Sequence, residues 1–150
     1  MHGAIKASKY VPTISDKGIK GKDYIKEAKK KAKVGLDGES FVVEYENKRL
    51  KEINRTAVWK SKNDGDGLGY DVLSYNDDGT ERYIEVKATN SSEDTTFYIT
   101  ATELEACKKY GNDYYLYRVY KNNGEWEIVW YRGKEVEALC NCPYTYAVTI

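Results

Sequence analysis

The feature that most restricts the fold is a turn. Asn76-Asp77-Asp78-Gly79-Thr80 lies between two runs rich in β-formers, Tyr70 to Tyr75 and Glu81 to Thr89, and that composition at that spacing specifies a β-hairpin. With Asp77-Asp78-Gly79 as a three-residue loop and Gly79 left-handed, the hairpin is symmetric about Asp78. It then pairs Asn76 with Thr80 and Asp71 with Glu85. Directly opposed residues share a face, with Cβ atoms about 4.5–5.5 Å apart. Lys87, two residues beyond Glu85, points the same way. Val72, Ile84 and Val86 fall on the other face and form its apolar side. One face gathers two carboxylates and a lysine, and a single bulge would turn Asp71 away from it.

Like charges placed opposite each other destabilise a sheet. A divalent metal between them reverses the sign, because Mg²⁺ takes one or two protein carboxylates, keeps several waters and coordinates phosphate oxygens. Such an ion makes a bound water more acidic and stabilises charge developing on phosphate. Lys87 beside it would orient the attacking water or the scissile phosphate. This set suffices to hydrolyse a phosphodiester. The same residues also read as an exposed charged strand face on which Lys87 neutralises both acids, since Glu-x-Lys on a strand is common.

The rest of the chain fills in around this hairpin. Residues 1–19 are punctuated by Gly, Ser and Pro and read as a flexible N-terminal arm; 20–150 read as one domain. Ala and Lys favour a helix over 21–33. Val34-Gly35-Leu36 should break it, and a second helix should start at Asp37 as N-cap and run to about Arg55. Ala57 to Lys60 and Phe97 to Thr100 read as short strands, and Ser61 to Gly69 as a polar loop whose Asp64 and Asp66 could approach the hairpin or simply face solvent. Thr102 to Tyr110 is a helix ended by Gly111. Asp113 to Tyr120 and Trp126 to Tyr131 are strands joined at Asn122-Asn123-Gly124. A helical turn near Glu135 to Leu139 and an edge strand over Tyr144 to Ile150 complete an α/β (α+β) layout, a mixed sheet flanked by helices.

Composition narrows the chemistry. The only histidine is His2, at the chain end, so a histidine base or a Ser-His or Cys-His pair has no place to be held. Three cysteines, an odd number, fit a reducing, cytoplasmic setting and fall short of a four-ligand zinc site. No apolar run reaches the roughly 20 residues a membrane helix needs, and no P-loop or GxGxxG is present. Net charge is zero, with 24 basic and 24 acidic residues, yet Lys29, Lys30, Lys31 and Lys33 crowd one segment. They could track phosphates or form the solvated face of a helix. The fifteen tyrosines suit half-buried pleated surfaces better than base stacking.

Gly69-Tyr70-Asp71-Val72 followed by Ile84-Glu85-Val86-Lys87-Ala88-Thr89 resembles the D…(D/E)-x-K signature of PD-(D/E)XK nucleases, which implies a restriction-endonuclease-like mixed sheet. The resemblance extends to the family named for the C-terminal region of the plant NO VEIN protein, also met in bacterial restriction-type and defence-type proteins. It is carried by Gly35-x-x-Gly38-Glu39, Gly67-Leu68-Gly69-Tyr70-Asp71, Ile84 to Thr89, Phe97-Tyr98-Ile99-Thr100 with Glu103, and Tyr114 to Tyr120. The signature proline is Tyr70 here.

The resemblance implies Asp71 and Glu85 as metal ligands, the Val86 carbonyl as a third, and Lys87 as the catalytic lysine. Glu39 would be the helix-borne carboxylate that several branches add to the site, although a Glu just after an N-cap is also favoured by the helix dipole. Glu103 could reach the site, hold Lys87 or serve a cap, and Thr89 stands beside the set. The implied activity is Mg²⁺- or Mn²⁺-dependent hydrolysis of DNA, in preference to RNA, in a restriction or phage-defence setting. A domain this small would work beside a helicase or specificity protein, and such enzymes frequently act as homodimers. The alternative is a catalytically inactive nucleic-acid-binding or assembly module on the same fold.

Overall fold

The computed structural model describes residues 21–140 and 148–149. The hairpin at its centre forms in the expected register: β2 (Val72–Tyr75) and β3 (Glu81–Thr89) are antiparallel, with Val72 opposite Ile84 and Tyr75 opposite Glu81. Gly79 takes φ 84°, a left-handed conformation that favours glycine. The Asp78 carboxylate accepts from the Thr80 N–H and hydroxyl. The regular ladder stops at Val72, however. Beyond it the Asp71 N–H donates to the Ile84 carbonyl at 2.8 Å, and the Asp71 carbonyl accepts from the Ser61 N–H.

Around the hairpin the sheet has five strands in the order β1-β2-β3-β4-β5, with β1 spanning Val58–Trp59, β4 Tyr114–Asn122 and β5 Glu125–Arg132. All neighbours are antiparallel except β3 and β4, which run parallel. A parallel pair requires a crossover, and helix α3 (Ala101–Tyr110) supplies it. The β4–β5 turn places Asn123 and Gly124 at φ 49° and 81°, as a two-residue hairpin loop of the primed type requires. A five-residue helical turn, α2 (Lys60–Asp64), follows β1, a 3-10 turn spans Asp66–Leu68, and α4 (Gly133–Leu139) follows β5. The segment 61–69 is therefore short helical structure and not an open polar loop. The arm over 1–19 lies outside the described residues, as does the expected edge strand over Tyr144 to Ile150 apart from Val148 and Thr149, which are in no strand.

Helix α1 departs from the sequence reading. It is a single helix of 30 residues, Gly21–Leu50, about 45 Å long, followed by a 3-10 turn over Lys51–Ile53. Val34-Gly35-Leu36 does not break it, because one glycine inside a helix costs only about 1 kcal/mol and good helix formers flank it on both sides. Asp37 is not an N-cap; its carboxylate pairs with Lys33 at 2.6 Å, one turn earlier. Gly38 earns its place by contact: a Cβ there would lie 2.4 Å from the Ala88 Cβ, so the glycine lets α1 lie close against β3.

The strand expected over Phe97 to Thr100 is also absent. Both edges of β3 are already taken by β2 and β4, so this stretch has no ladder to join. Its approach is held by Arg118 instead, whose guanidinium donates to the carbonyls of Glu93 at 3.1 Å and Thr95 at 2.7 Å.

Two cores cover the two faces of the sheet. On one, Val42 of α1 packs with Val72, Ile84, Val86, Tyr117 and Val119. On the other, Ala106 and Cys107 of α3 and Val136 of α4 pack with Leu116, Val129 and Tyr131. Full burial of each such aliphatic side chain is worth about 1.5–3 kcal/mol. Tyr114, Tyr115 and Tyr117 are buried, so these tyrosines serve the pleated interior.

Candidate functional site

Strand alternation decides which side chains meet. Val72, Ile84 and Val86 turn toward α1, and Glu85 and Lys87 turn toward α3. Glu85 is buried, and the Lys87 Nζ lies 3.1 Å from its Oε1. The same ammonium donates to Glu103 Oε2 at 2.8 Å. Glu103 is the third residue of α3 and closes a capping box. Its Oε2 accepts from the Thr100 N–H at 2.9 Å, while the Thr100 hydroxyl accepts from the Glu103 N–H at 3.2 Å.

Asp71 sits just past the end of β2. Its Oδ2 accepts from the Val86 N–H at 2.8 Å, taking a place that a strand carbonyl would otherwise fill. Gly69, two residues earlier, has φ 77°, and a Cβ there would lie 2.7 Å from both Ala106 Cβ and the Thr102 carbonyl oxygen. The chain can approach α3 this closely only with glycine. Tyr114 fixes the same turn by donating its hydroxyl to the Gly69 carbonyl at 2.9 Å.

Glu39 reaches the site from α1. Its Oε2 accepts from Trp59 Nε1 and from the Ser61 hydroxyl, each at 2.6 Å. Asp71, Glu85 and Glu103 line a cleft of about 390 Å³, together with Asp66, Gly69, Tyr70, Thr100 and Thr102.

The electrostatics follow from burial and from an excess of one sign. Burial, and then the nearby Glu39 charge, push the Asp71 carboxyl up to about 7 against the pull of the Val86 N–H and Lys87. Burial followed by the Asp71 charge holds Glu85 well above the ordinary carboxylate range, with Lys87 opposing. For Lys87 burial works downward, but the Glu85 and Glu103 carboxylates outweigh it, so the ammonium is held charged. Glu85 and Glu103 each form an ion pair with Lys87. Among the described residues no group of three or more His, Cys, Asp or Glu side chains has the arrangement of a metal cage, and no helix is long and apolar enough to cross a membrane.

The residues singled out in the sequence thus divide. Asp71, Glu85, Lys87 and Glu103 come together, Glu39 lies close enough to act on Asp71, and the Val86 backbone supports Asp71 through its N–H. Thr89 uses its hydroxyl to accept from the Ser91 N–H, in the turn that leaves β3. Lys29, Lys30 and Lys31 are on exposed turns of α1, and Lys33 is exposed and paired with Asp37. None of the four lines the cleft. Asp66 does line it, whereas Asp64 pairs with Lys60 at 3.0 Å.

Three residues near the site were not read from the sequence. Trp59 and Ser61 orient Glu39; the first ends β1 and the second is the second residue of α2, so the turn between strand and helix brings both donors to one carboxylate. Arg118 is buried and donates to the Lys87 carbonyl at 3.0 Å, tying the strand that carries the lysine to the loop before α3. Its one signal was a charge inside the otherwise apolar Tyr114 to Tyr120 run.

The family described as Protein NO VEIN, C-terminal, matches residues 38–131, from the helix turn that carries Glu39 to the end of β5, with every carboxylate of the cleft included. No curated protein matches the chain, and no solved structure does. With well over half of its length matched, including all five strands up to Tyr131, the chain belongs to the NO VEIN C-terminal family.

Proposed function

We propose that the chain is a metal-dependent phosphodiesterase of the PD-(D/E)XK kind, an endonuclease acting on DNA in preference to RNA. The observation that carries this reading is the meeting of Asp71, Glu85 and Lys87 on one side of the β2–β3 hairpin, in a cleft where acids outnumber the ammonium that pairs with them. Acids raised in pKa by burial first and by neighbouring carboxylates second are costly to a fold, and a divalent cation would relieve that cost.

The donor set fits a hard cation. Asp71 and Glu85 are oxygen ligands, and Mg²⁺ or Mn²⁺ needs only one or two carboxylates because waters complete its shell. Asp71 and Glu85 would hold the ion, with the Val86 carbonyl as a further oxygen donor, while Glu39, held by Trp59 and Ser61, would act on the site through its charge on Asp71. Bound there, it supplies a more acidic water and stabilises negative charge on the phosphate. The protein's own residues do the positioning. The Val86 N–H fixes the Asp71 carboxylate, Trp59 and Ser61 fix Glu39, and the Lys87 ammonium presents hydrogen-bond donors to a phosphate oxygen or to the attacking water.

On this reading a domain of 150 residues would be targeted by a helicase or specificity protein working beside it, in a restriction or defence setting. The deciding experiment offers single-stranded, duplex and branched DNA and RNA with Mg²⁺ or Mn²⁺ to wild type and to Glu85→Ala. Cleavage that disappears in the variant and in chelator supports the reading and ranks the substrates. Folded wild-type protein that binds these nucleic acids with or without metal and cuts none of them would replace it with a binding module on the same fold.

A further inference from the structure

Lys87 is shared unequally. Its ammonium is 2.8 Å from Glu103 Oε2 and 3.1 Å from Glu85 Oε1, so it contacts an oxygen of the same carboxylate that would hold the metal. A cation and an ammonium compete for Glu85, and the fold provides the ammonium with a second place to go. Glu103 is well suited to that role. The Thr100 N–H donates to the oxygen that accepts Lys87, and the capping box fixes that oxygen to the start of α3. The seat is therefore anchored by the start of α3 and not by Glu85.

We infer that Glu103 is a positioning residue that takes the Lys87 ammonium when a divalent cation occupies Glu85, freeing that carboxylate for the metal while keeping the lysine beside the cleft. This inference rests on the metal-dependent reading above and adds a prediction of its own. Weakening Glu103 leaves Lys87 on Glu85, where it opposes metal binding. The effect of Glu103 on metal affinity must then pass through Lys87, unlike that of a direct ligand or of a general negative field.

The test is a double-mutant cycle read by calorimetric titration of Mn²⁺, without nucleic acid and without turnover. Glu103→Gln keeps an oxygen to accept from the Thr100 N–H, so the helix start survives and only the charge is lost. In this variant Mn²⁺ affinity falls at least about fivefold, at the lower end of ordinary coupling between sites. Lys87→Met removes the competitor and tightens Mn²⁺ binding, and adding Glu103→Gln to Lys87→Met then changes nothing further. An equal loss in both backgrounds, or no loss in either, overturns the inference while leaving the metal site standing. Absence of Mn²⁺ binding by folded wild type overturns the metal reading and this inference with it. The wild-type chain gives an independent check through the ¹⁵Nζ resonance of Lys87. Added Mg²⁺ should abolish its hydrogen-bond coupling to the Glu85 carboxylate and retain that to Glu103; loss of the Glu103 coupling instead contradicts the inference.

Discussion

Glu46 and Glu85 are buried glutamates on opposite faces of one sheet, 0% and 4% exposed, and they are satisfied in different ways. Glu46, on α1, accepts from Arg49 at 2.6 Å, from the Ser74 hydroxyl at 2.6 Å and from the Tyr117 hydroxyl at 2.7 Å. Arg82 extends the network by donating to the Tyr117 oxygen at 2.9 Å. Its charge is met by an arginine and its lone pairs by hydroxyls, as buried ion pairs require. Glu85 has Lys87 at 3.1 Å, but that ammonium is divided with Glu103 while Asp71 adds a repelling charge. The first cluster is complete as it stands and holds α1 to the sheet. The second gathers more carboxyls than cations in a cleft, and burial with the crowding of acids drives Asp71 and Glu85 toward the protonated form. A fold that can neutralise a buried glutamate so fully on one face leaves the other one short of cations, and that contrast points to a ligand of positive charge.

Substitutions can break this comparison. Glu46→Ala strips the partner from Arg49, Ser74 and Tyr117 together and should cost about 3–5 kcal/mol, as loss of one member of a buried pair does, read from the midpoint of urea unfolding. A small cost there would mean that the two clusters do not differ as described. The next effect is a pH dependence. Asp71 is raised from 3.8 to about 7 in the folded chain, so between those values the folded state holds a proton that the unfolded state has released. In chelator this group's contribution to stability is therefore full below the unfolded pKa and is lost as pH rises through about 7. Melting temperatures from pH 5 to pH 8 should show that fall in wild type and a flatter profile in Asp71→Asn.

Trp59→Phe sharpens the comparison at lower amplitude. It removes one of two donors to the Glu39 carboxylate, at about 0.5–1.5 kcal/mol, measured by thermal melting; no change would mean that Ser61 alone orients Glu39. The smallest effect is expected at Glu85→Gln in the metal-free chain. Losing a charge that Asp71 repels should leave stability within about 1 kcal/mol of wild type, or raise it, by the same urea unfolding used for Glu46→Ala. A loss as large as that of Glu46→Ala would make Glu85 a structural anchor.

Much of the site was legible because it depends on a turn and a period of two. Gly79 at the left-handed position fixed the pairing of Val72 with Ile84, and alternation then placed Glu85 and Lys87 away from the valines. What alternation could not give is the way Asp71 leaves the ladder. Its side chain, in place of its backbone, accepts from Val86, a choice set by the Ser61 contact and the tight Gly69 turn against α3. Helix boundaries were less legible, because the lone Gly35 is a weak signal beside the packing of Gly38 on Ala88. Phe97 to Thr100 has the composition of a strand but no free edge to join, a fact of topology that no local pattern contains. Glu46 had a usable signal in its spacing, four residues after Val42 and four before Leu50, which puts it on the core stripe of α1.

A metal-dependent site on this hairpin requires Asp71 and Glu85 to form a seat for a divalent cation. Mn²⁺ titration followed by electron paramagnetic resonance, comparing wild type with Glu85→Gln and Asp71→Asn, measures this without any assumption about substrate. The account predicts one ion bound per wild-type chain and at least about a tenfold loss of affinity in each variant, the size of a lost charge–charge contact in a partly buried site. Wild-type protein that binds no Mn²⁺, or that binds it equally well without either carboxylate, would contradict the account.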